Sequence, residues 1–251
     1  MNPKLHNDAF THYMVSFIGG YFGIYAIISR SDFFGSAQTS NLIYLAMDLL
    51  GRNLTDLIIR LFALLFYVSA IVLNIRLAEQ HRFHIKKLSM IINAAAIVVL
   101  GFLPAEMNPV IALYPVFFAM AFQWCSFKGY KEYGSATVFS TNNLRQFVTA
   151  LTLYFSRKDV IQREKAAFYG LTLLSFHLGA TACFFLLQVF HIRSIWFCMI
   201  PTAFAFLFFT LQENAGSGKP DCYFSHRHYK KTAETVTGQI PACSAAPKDC
   251  A

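Results

Sequence analysis

The sequence predicts an all-α polytopic membrane protein of about six transmembrane helices, and three observations predict it. The chain of 251 residues is 56% hydrophobic and only 14% charged, whereas a soluble domain carries nearer a quarter charged residues. Its mean hydropathy is +0.45, and the apolar residues come in long runs of the kind a helix needs to cross the hydrocarbon core, roughly 20 residues each. A short polar pattern, Thr-x-Asn-Leu, also occurs twice in matching places and divides the chain into two similar halves.

Six segments pass the length and charge test for spanning: Tyr13 to Ser29, Leu57 to Leu77, Leu88 to Leu103, Pro109 to Phe127, Ala166 to Phe190, and Ile195 to Gln212. Each is nearly free of charge in its centre. Two further stretches, Phe33 to Leu50 and Gly134 to Phe155, are polar in their first halves and apolar in their second. Counting both as spans would give eight helices, a second-ranked alternative. The transmembrane domain is thus 1–212, and 213–251, rich in Gly, Ser, Pro and Lys, is expected to be a disordered cytoplasmic tail.

Orientation follows from Lys and Arg in the connections, which favour the cytoplasmic side. The loop after the second span holds Arg76, Arg82, Lys86 and Lys87, and the long one after the fourth holds Lys128, Lys131, Arg145, Arg157, Lys158, Arg163 and Lys165. The connection Pro104 to Asn108 has none. Both termini are then cytoplasmic, and the first loop, with Arg30, Arg52 and Arg60, is the exception to the pattern. Multi-pass insertion in the inner (plasma) membrane is the expected location. The net charge of +8 is spread in short clusters between apolar runs, without the contiguous basic face that nucleic-acid binding requires.

No CxxC spacing links any of the six cysteines, so no metal site and no disulfide framework is expected. No cofactor is expected either. The spans contain no paired carboxylates, no HExxH and no Ser-His-Asp set, which argues against an enzyme.

The repeat is the most informative feature. Gln38-Thr39-Ser40-Asn41-Leu42 follows the first span and Ser140-Thr141-Asn142-Asn143-Leu144 follows the fourth; an apolar stretch and two spans come after each. The chain reads as two three-span units, about 13–104 and 109–212. An odd number of spans per unit makes the second copy enter the membrane from the opposite side, an inverted arrangement that recurs in transporters with a midplane site. The Thr and Asn oxygens are expected to cap short half-helices, with or without a ligand beside them.

The Phe33-x-x-x-x-Gln38-Thr39-Ser40-Asn41-Leu42 stretch and the stretch from Met120-Ala121-Phe122-Gln123-Trp124 to Thr141-Asn142-Asn143-Leu144 resemble the YoaK family of bacterial membrane proteins, also called DUF1275, over roughly Phe17 to Gln212. The resemblance implies six spans and, residue by residue, marks Thr39, Asn41, Gln123 and Thr141. Ser40 stands where that family usually has Gly, and the acid common in its first span is absent from Gly19-Gly20-Tyr21-Phe22-Gly23. The family carries no assigned substrate.

Gln123 in the fourth span and His177 in the fifth are polar groups at membrane depth, where functional sites concentrate and interhelical glue is also common. Gly19-x-x-x-Gly23 and Ser175-x-x-x-Gly179 allow close helix approach. Pro115 and Pro201 remove backbone hydrogen bonds inside spans. The leading expectation is a small-solute transporter of unknown substrate with its site at Gln38, Thr39, Asn41, Gln123, Thr141, Asn143 and His177. A non-catalytic scaffold or regulator acting through its tail is the alternative. The bilayer is the expected surrounding, and self-association into a homo-oligomer stays open.

Overall fold

A computed structural model of the chain describes residues 3–30, 38–80 and 84–215. The expected tail falls outside these residues from position 216, as do positions 31–37 of the first Thr-x-Asn stretch. Helices account for nearly everything else: α1 (Pro3–Ser29), α2 (Thr39–Leu50), α3 (Leu54–Glu79), α4 (Ile85–Phe102), α5 (Pro109–Ala112), α6 (Tyr114–Ser126), α7 (Thr141–Arg157), α8 (Val160–Phe190) and α9 (Met199–Ala215). A minimal hairpin, β1 (Gly129–Tyr130) and β2 (Tyr133–Gly134), follows α6, and a 3-10 turn (His191–Cys198) joins α8 to α9.

By length and composition, four stretches of described helix can cross a membrane: Asp8–Ser29, Leu54–Glu79, Ile85–Phe102 and Val160–Gln212. The last, at 53 residues, would reach about 80 Å if straight, well over twice the hydrocarbon thickness. It doubles back at His191, whose φ is 49°, so that Tyr21 of α1 donates to the Ser194 carbonyl while Phe10, nearer the N-terminus of α1, packs on Phe208. The expected span Pro109 to Phe127 is divided at Leu113. Pro115 enters the first turn of α6, where its missing N–H costs nothing, and Asn108 caps α5 by accepting from Val110 and Ile111.

Large apolar side chains cover the outside, among them Leu61, Phe62 and Leu65 on α3, Phe185 and Val189 on α8, and Leu207 and Leu211 on α9. An exterior this apolar is intolerable in water and natural in lipid. The protein is membrane-embedded and all-α in architecture.

Two helix pairs run parallel through the bundle. His12 packs on Phe168 and Gly20 on Phe176, so α1 and α8 advance together; Phe66 stacks on Tyr114 and Asn74 bonds the Phe122 carbonyl, so α3 and α6 advance by the same step. The α1–α8 crossing is reciprocal. A Cβ on Gly20 would lie 1.9 Å from the Phe176 carbonyl oxygen, and one on Gly179 would lie 1.9 Å from that of Phe17. Of the expected small-residue pairs, Gly179 takes part in this crossing, but its counterpart on α1 is Gly20, whereas Gly19 meets Thr137.

The short helices α2 and α7 each fold back on the helix that follows. At about 18 and 25 Å, from their 12 and 17 residues, both fall short of the hydrocarbon core. Arg52, at φ 57°, and Lys158, at φ 56°, make the two reversals in the left-handed region. Asn53 and Asp159 then cap α3 and α8 by accepting from Asp56 and Ile161. Asp48 and Arg60 close the α2–α3 pair at 2.7 Å. Phe147 lies over Gly170, with Tyr154 and Arg163 in the same cleft nearer the turn, so α7 begins about half-way up α8, level with the α1–α8 crossing.

Gly20→Val should destabilise the protein by about 3 kcal/mol or more, since its branch meets backbone and not a side-chain end; a melting curve in detergent micelles reads this directly. Gly134→Ala, where a Cβ meets nothing within 4 Å, should leave the curve unchanged.

Candidate functional site

Between β2 and α7 the chain is neither strand nor helix, and it rises into the bundle. Ser135, Ala136, Thr137 and Val138 are all buried. Thr137 presses its carbonyl on α1 at Gly19, where a Cβ would stand 2.1 Å from the oxygen. Glycine at position 19 is thus what admits an irregular, bent segment against α1 inside the bundle. Irregular backbone at this depth must find its hydrogen bonds within the protein or in enclosed water.

Amides and hydroxyls supply them. Asn143 donates from Nδ2 to the carbonyls of Ala136 (2.7 Å) and Phe139 (3.1 Å), and its Oδ1 accepts from Ser135 at 2.9 Å. Ser135 Oγ in turn meets His12 Nε2 at 2.9 Å. On the other side of the segment, Gln123 Nε2 donates to Thr137 Oγ1 (3.1 Å) and to the Val15 carbonyl (3.2 Å), and Gln123 Oε1 accepts from Asn93 at 2.6 Å. All six side chains are at most 5% exposed. Asn93 Oδ1 and Ser89 Oγ, also buried, have no hydrogen-bond partner. The result is a polar centre, without Asp, Glu, Lys or Arg among these residues, bounded by α1, α4, α6 and α7.

The expected site residues divide between this centre and other places. Gln123 and Asn143 brace the irregular segment from opposite sides. Asn41 is buried in a separate group, donating to Gln38 Oε1 (2.9 Å) and to the Arg60 carbonyl (3.3 Å), whereas Gln123 bonds Asn93, Thr137 and Val15. Thr39 and Thr141 are exposed at the helix starts. Neither short helix has a side-chain cap at Gln38 or Ser140, which corrects the expected capping role: each Asn spends its amide N–H on carbonyls instead of accepting from free N–H groups. His177 is also corrected. It is exposed on α8, its Nδ1 bonded to its own helix at Leu173, because the buried face of α8 runs through Phe176 and Gly179, and the next position turns outward.

His12 and Ser135 were not anticipated. His12 lies just before the first apolar run as the composition defines it, yet α1 starts at Pro3 and carries it inside. Asn93, near a span end in the sequence, reads there as interhelical glue or as a snorkelling group. Outside the spans, Lys131 bonds Glu164 at the foot of α8 and is held above the ordinary lysine range by that contact. Burial likewise raises Tyr133. These groups anchor the hairpin that feeds the irregular segment. Among the described residues no group of three His, Cys, Asp or Glu side chains could hold a metal ion.

Residues 11–208 match the model of a family described as "Protein of unknown function (DUF1275)". No curated protein and no solved structure matches the chain.

Coupling between Asn93 and Gln123 should be measurable. In a double-mutant cycle with Asn93→Leu and Gln123→Leu, thermal unfolding in micelles should give an interaction of about 0.6 to 1.7 kcal/mol, the range for hydrogen bonds inside membranes. Simple additivity would mean that the 2.6 Å contact contributes nothing to stability.

Proposed function

The chain belongs to the DUF1275 family, and for it we propose a small-solute membrane transporter with six crossings, built as two inverted repeats, whose site lies between its two Thr-x-Asn segments. The observation that carries this reading is the irregular segment after β2, whose residues 135–138 are buried among Asn, Gln, Ser and Thr side chains. Breaks of this kind, where backbone and side-chain polar groups converge inside an apolar bundle, are where transporters bind solutes.

The packing supports the repeat. Exchanging α1 for α6, α2 for α7, α3 for α8 and α4 for α9 turns the parallel pair α1–α8 into the parallel pair α6–α3. It also turns the hairpin α2–α3, with its Arg52 and Asn53 reversal, into α7–α8, with Lys158 and Asp159. Asn41 and Asn143 exchange as well, and both are buried. In this reading Gln123, Asn143 and Asn41 contact solute directly, with Asn93, Ser135 and His12 behind them. The centre holds no carboxylate, which favours a neutral, hydrogen-bonding solute over a cation.

Orientation with both termini on the cytoplasmic side gains a physical argument. Of the basic residues in the anomalous first loop, Arg30 is buried and donates to the carbonyls of Pro104 (2.8 Å) and Ala105 (3.2 Å) beyond α4, and Arg60 is paired with Asp48. Charges committed in this way to a helix end or a carboxylate are weak topology signals. The basic loops after α3 and α6 then decide the cytoplasmic face.

With native cysteines replaced, Thr39→Cys and Thr141→Cys should react with a membrane-impermeant maleimide from opposite faces of sealed vesicles; reaction from the same face would exclude the inverted repeat. Proteoliposomes challenged with glycerol, urea and glycine in stopped-flow light scattering should re-swell faster than empty vesicles. Gln123→Leu should slow the re-swelling about tenfold, the worth of one buried hydrogen bond in a rate. Re-swelling no faster than in empty vesicles for every solute would defeat the transport reading.

A further inference from the structure

The outer surface of the second half carries a feature that the buried site does not use. On α8 the face that α7 covers includes Arg163, Ala167, Gly170 and Leu174. Two helical turns beyond Gly170 and Leu174 the same face continues with His177 and Thr181, and two turns beyond Thr181 with Gln188. All three are exposed. On α7, whose Phe147, Leu151 and Tyr154 face α8, the opposite, outward side carries Thr141 and Arg145, with Asn142 at its edge, all exposed, and because α7 begins about half-way up α8 this side ends below the stripe. Arg145 donates to Asn142 at 3.1 Å. A polar seam therefore follows the outside of the bundle along α7 and then α8.

Lipid tails cannot satisfy such a seam, and an arginine exposed at this depth needs an anionic or hydrogen-bonding companion. No Asp or Glu occurs in α7 or in α8 beyond Glu164. The N-terminus of α7 has no side-chain cap and adds its own positive potential. Apolar side chains share the same surface, all exposed: Leu144 and Val148 on α7, and on α8 Phe184 and Phe185, which stand in the line one turn beyond Thr181, between it and Gln188. The complement of this surface is an amphiphile with an anionic head and apolar tails. A second copy of the chain meeting it about a two-fold axis would bring Arg145 against Arg145 with no acid between them, which costs free energy in a low-dielectric medium.

We propose that the α7–α8 seam is a track for phospholipid headgroups, in which Arg145, with the start of α7 beside it, takes the phosphate and His177, Thr181 and Gln188 carry it along α8 while the acyl chains remain in the bilayer. The basic residues Arg157, Lys158 and Arg163 stand at its cytoplasmic mouth, where they concentrate anionic headgroups. This activity is separate from the solute site, which lies inside the bundle, so solute re-swelling and lipid movement fail independently.

The test uses the full chain reconstituted into vesicles of phosphatidylcholine and phosphatidylglycerol with a trace of NBD-labelled phospholipid, quenched from outside by dithionite. Wild-type protein should bring the inner-leaflet label within reach of the quencher. Arg145→Leu and His177→Leu, both at exposed positions, should slow this about tenfold, as expected for one lost charge-assisted hydrogen bond, and Arg145→Lys should retain most of the rate. Bleaching confined to the outer leaflet, as in protein-free vesicles, overturns the proposal. So does label movement that neither Leu variant slows, and so does an Arg145→Leu protein whose only change is its oligomeric state.

Discussion

In a medium without water every polar group of the backbone must be answered from within the protein, and one segment of this chain puts that requirement under strain. Residues 135–139 enter the bundle without the hydrogen bonds of a helix. Their carbonyls at Ala136 and Phe139 are taken by Asn143, the Thr137 hydroxyl by Gln123, and the Ser135 hydroxyl is shared between His12 and Asn143. Space for the segment exists only because position 19 has no side chain. The glycine contacts of α1, the amides of α6 and α7, and the hairpin that delivers the segment are thus parts of one arrangement.

That arrangement accounts for the helix pairing. With α1 and α8 crossing through Gly20 and Gly179, their backbones approach as closely as the van der Waals packing of membrane helices permits. The irregular segment lies beside this crossing. A wider separation would leave the Thr137 carbonyl without a wall and open the centre to lipid. The buried arginine just after α1 acts in the same sense: Arg30 donates to the carbonyls of Pro104 and Ala105 in the loop that follows α4.

Much of this was legible in the residues. Spans expected at Tyr13 to Ser29, Leu57 to Leu77 and Leu88 to Leu103 coincide with α1, α3 and α4 to within a few residues, apart from the start of α1, because their apolar runs are uninterrupted. Gln123 and the paired asparagines stood out as polar groups in apolar surroundings, and all three are buried. What could not be read was direction. Thr-x-Asn suggested side-chain oxygens turned toward free N–H groups, whereas Asn143 turns its N–H groups toward carbonyls of a segment whose irregular course no periodicity announces. The outward turn of His177 depends on which face of α8 meets α1, and Gly179 reveals that only when its partner is known. His12 was missed because a histidine ahead of an apolar run reads as the end of a helix and not as its interior.

In the repeat proposed above, the two halves differ most where they meet their surroundings. On α2 the exposed face beyond Thr39 is apolar, with Leu42, Ile43, Met47 and Leu50, while at the positions matching Ile43 and Met47 α7 shows Arg145 and Thr149. Beyond the short helices exposed Ile75 on α3 stands against His177 on α8. The interior, by comparison, retains its asparagine in both halves. An internal repeat that must keep its fold will conserve the groups bracing its irregular backbone, since losing one leaves a buried polar atom unanswered at about 1 to 3 kcal/mol. Its outer faces are free of that restraint. A charged and hydroxyl-rich face on one half, carried outside an otherwise apolar bundle, is therefore not explained by the fold, and its cost in lipid is offset only by something it binds.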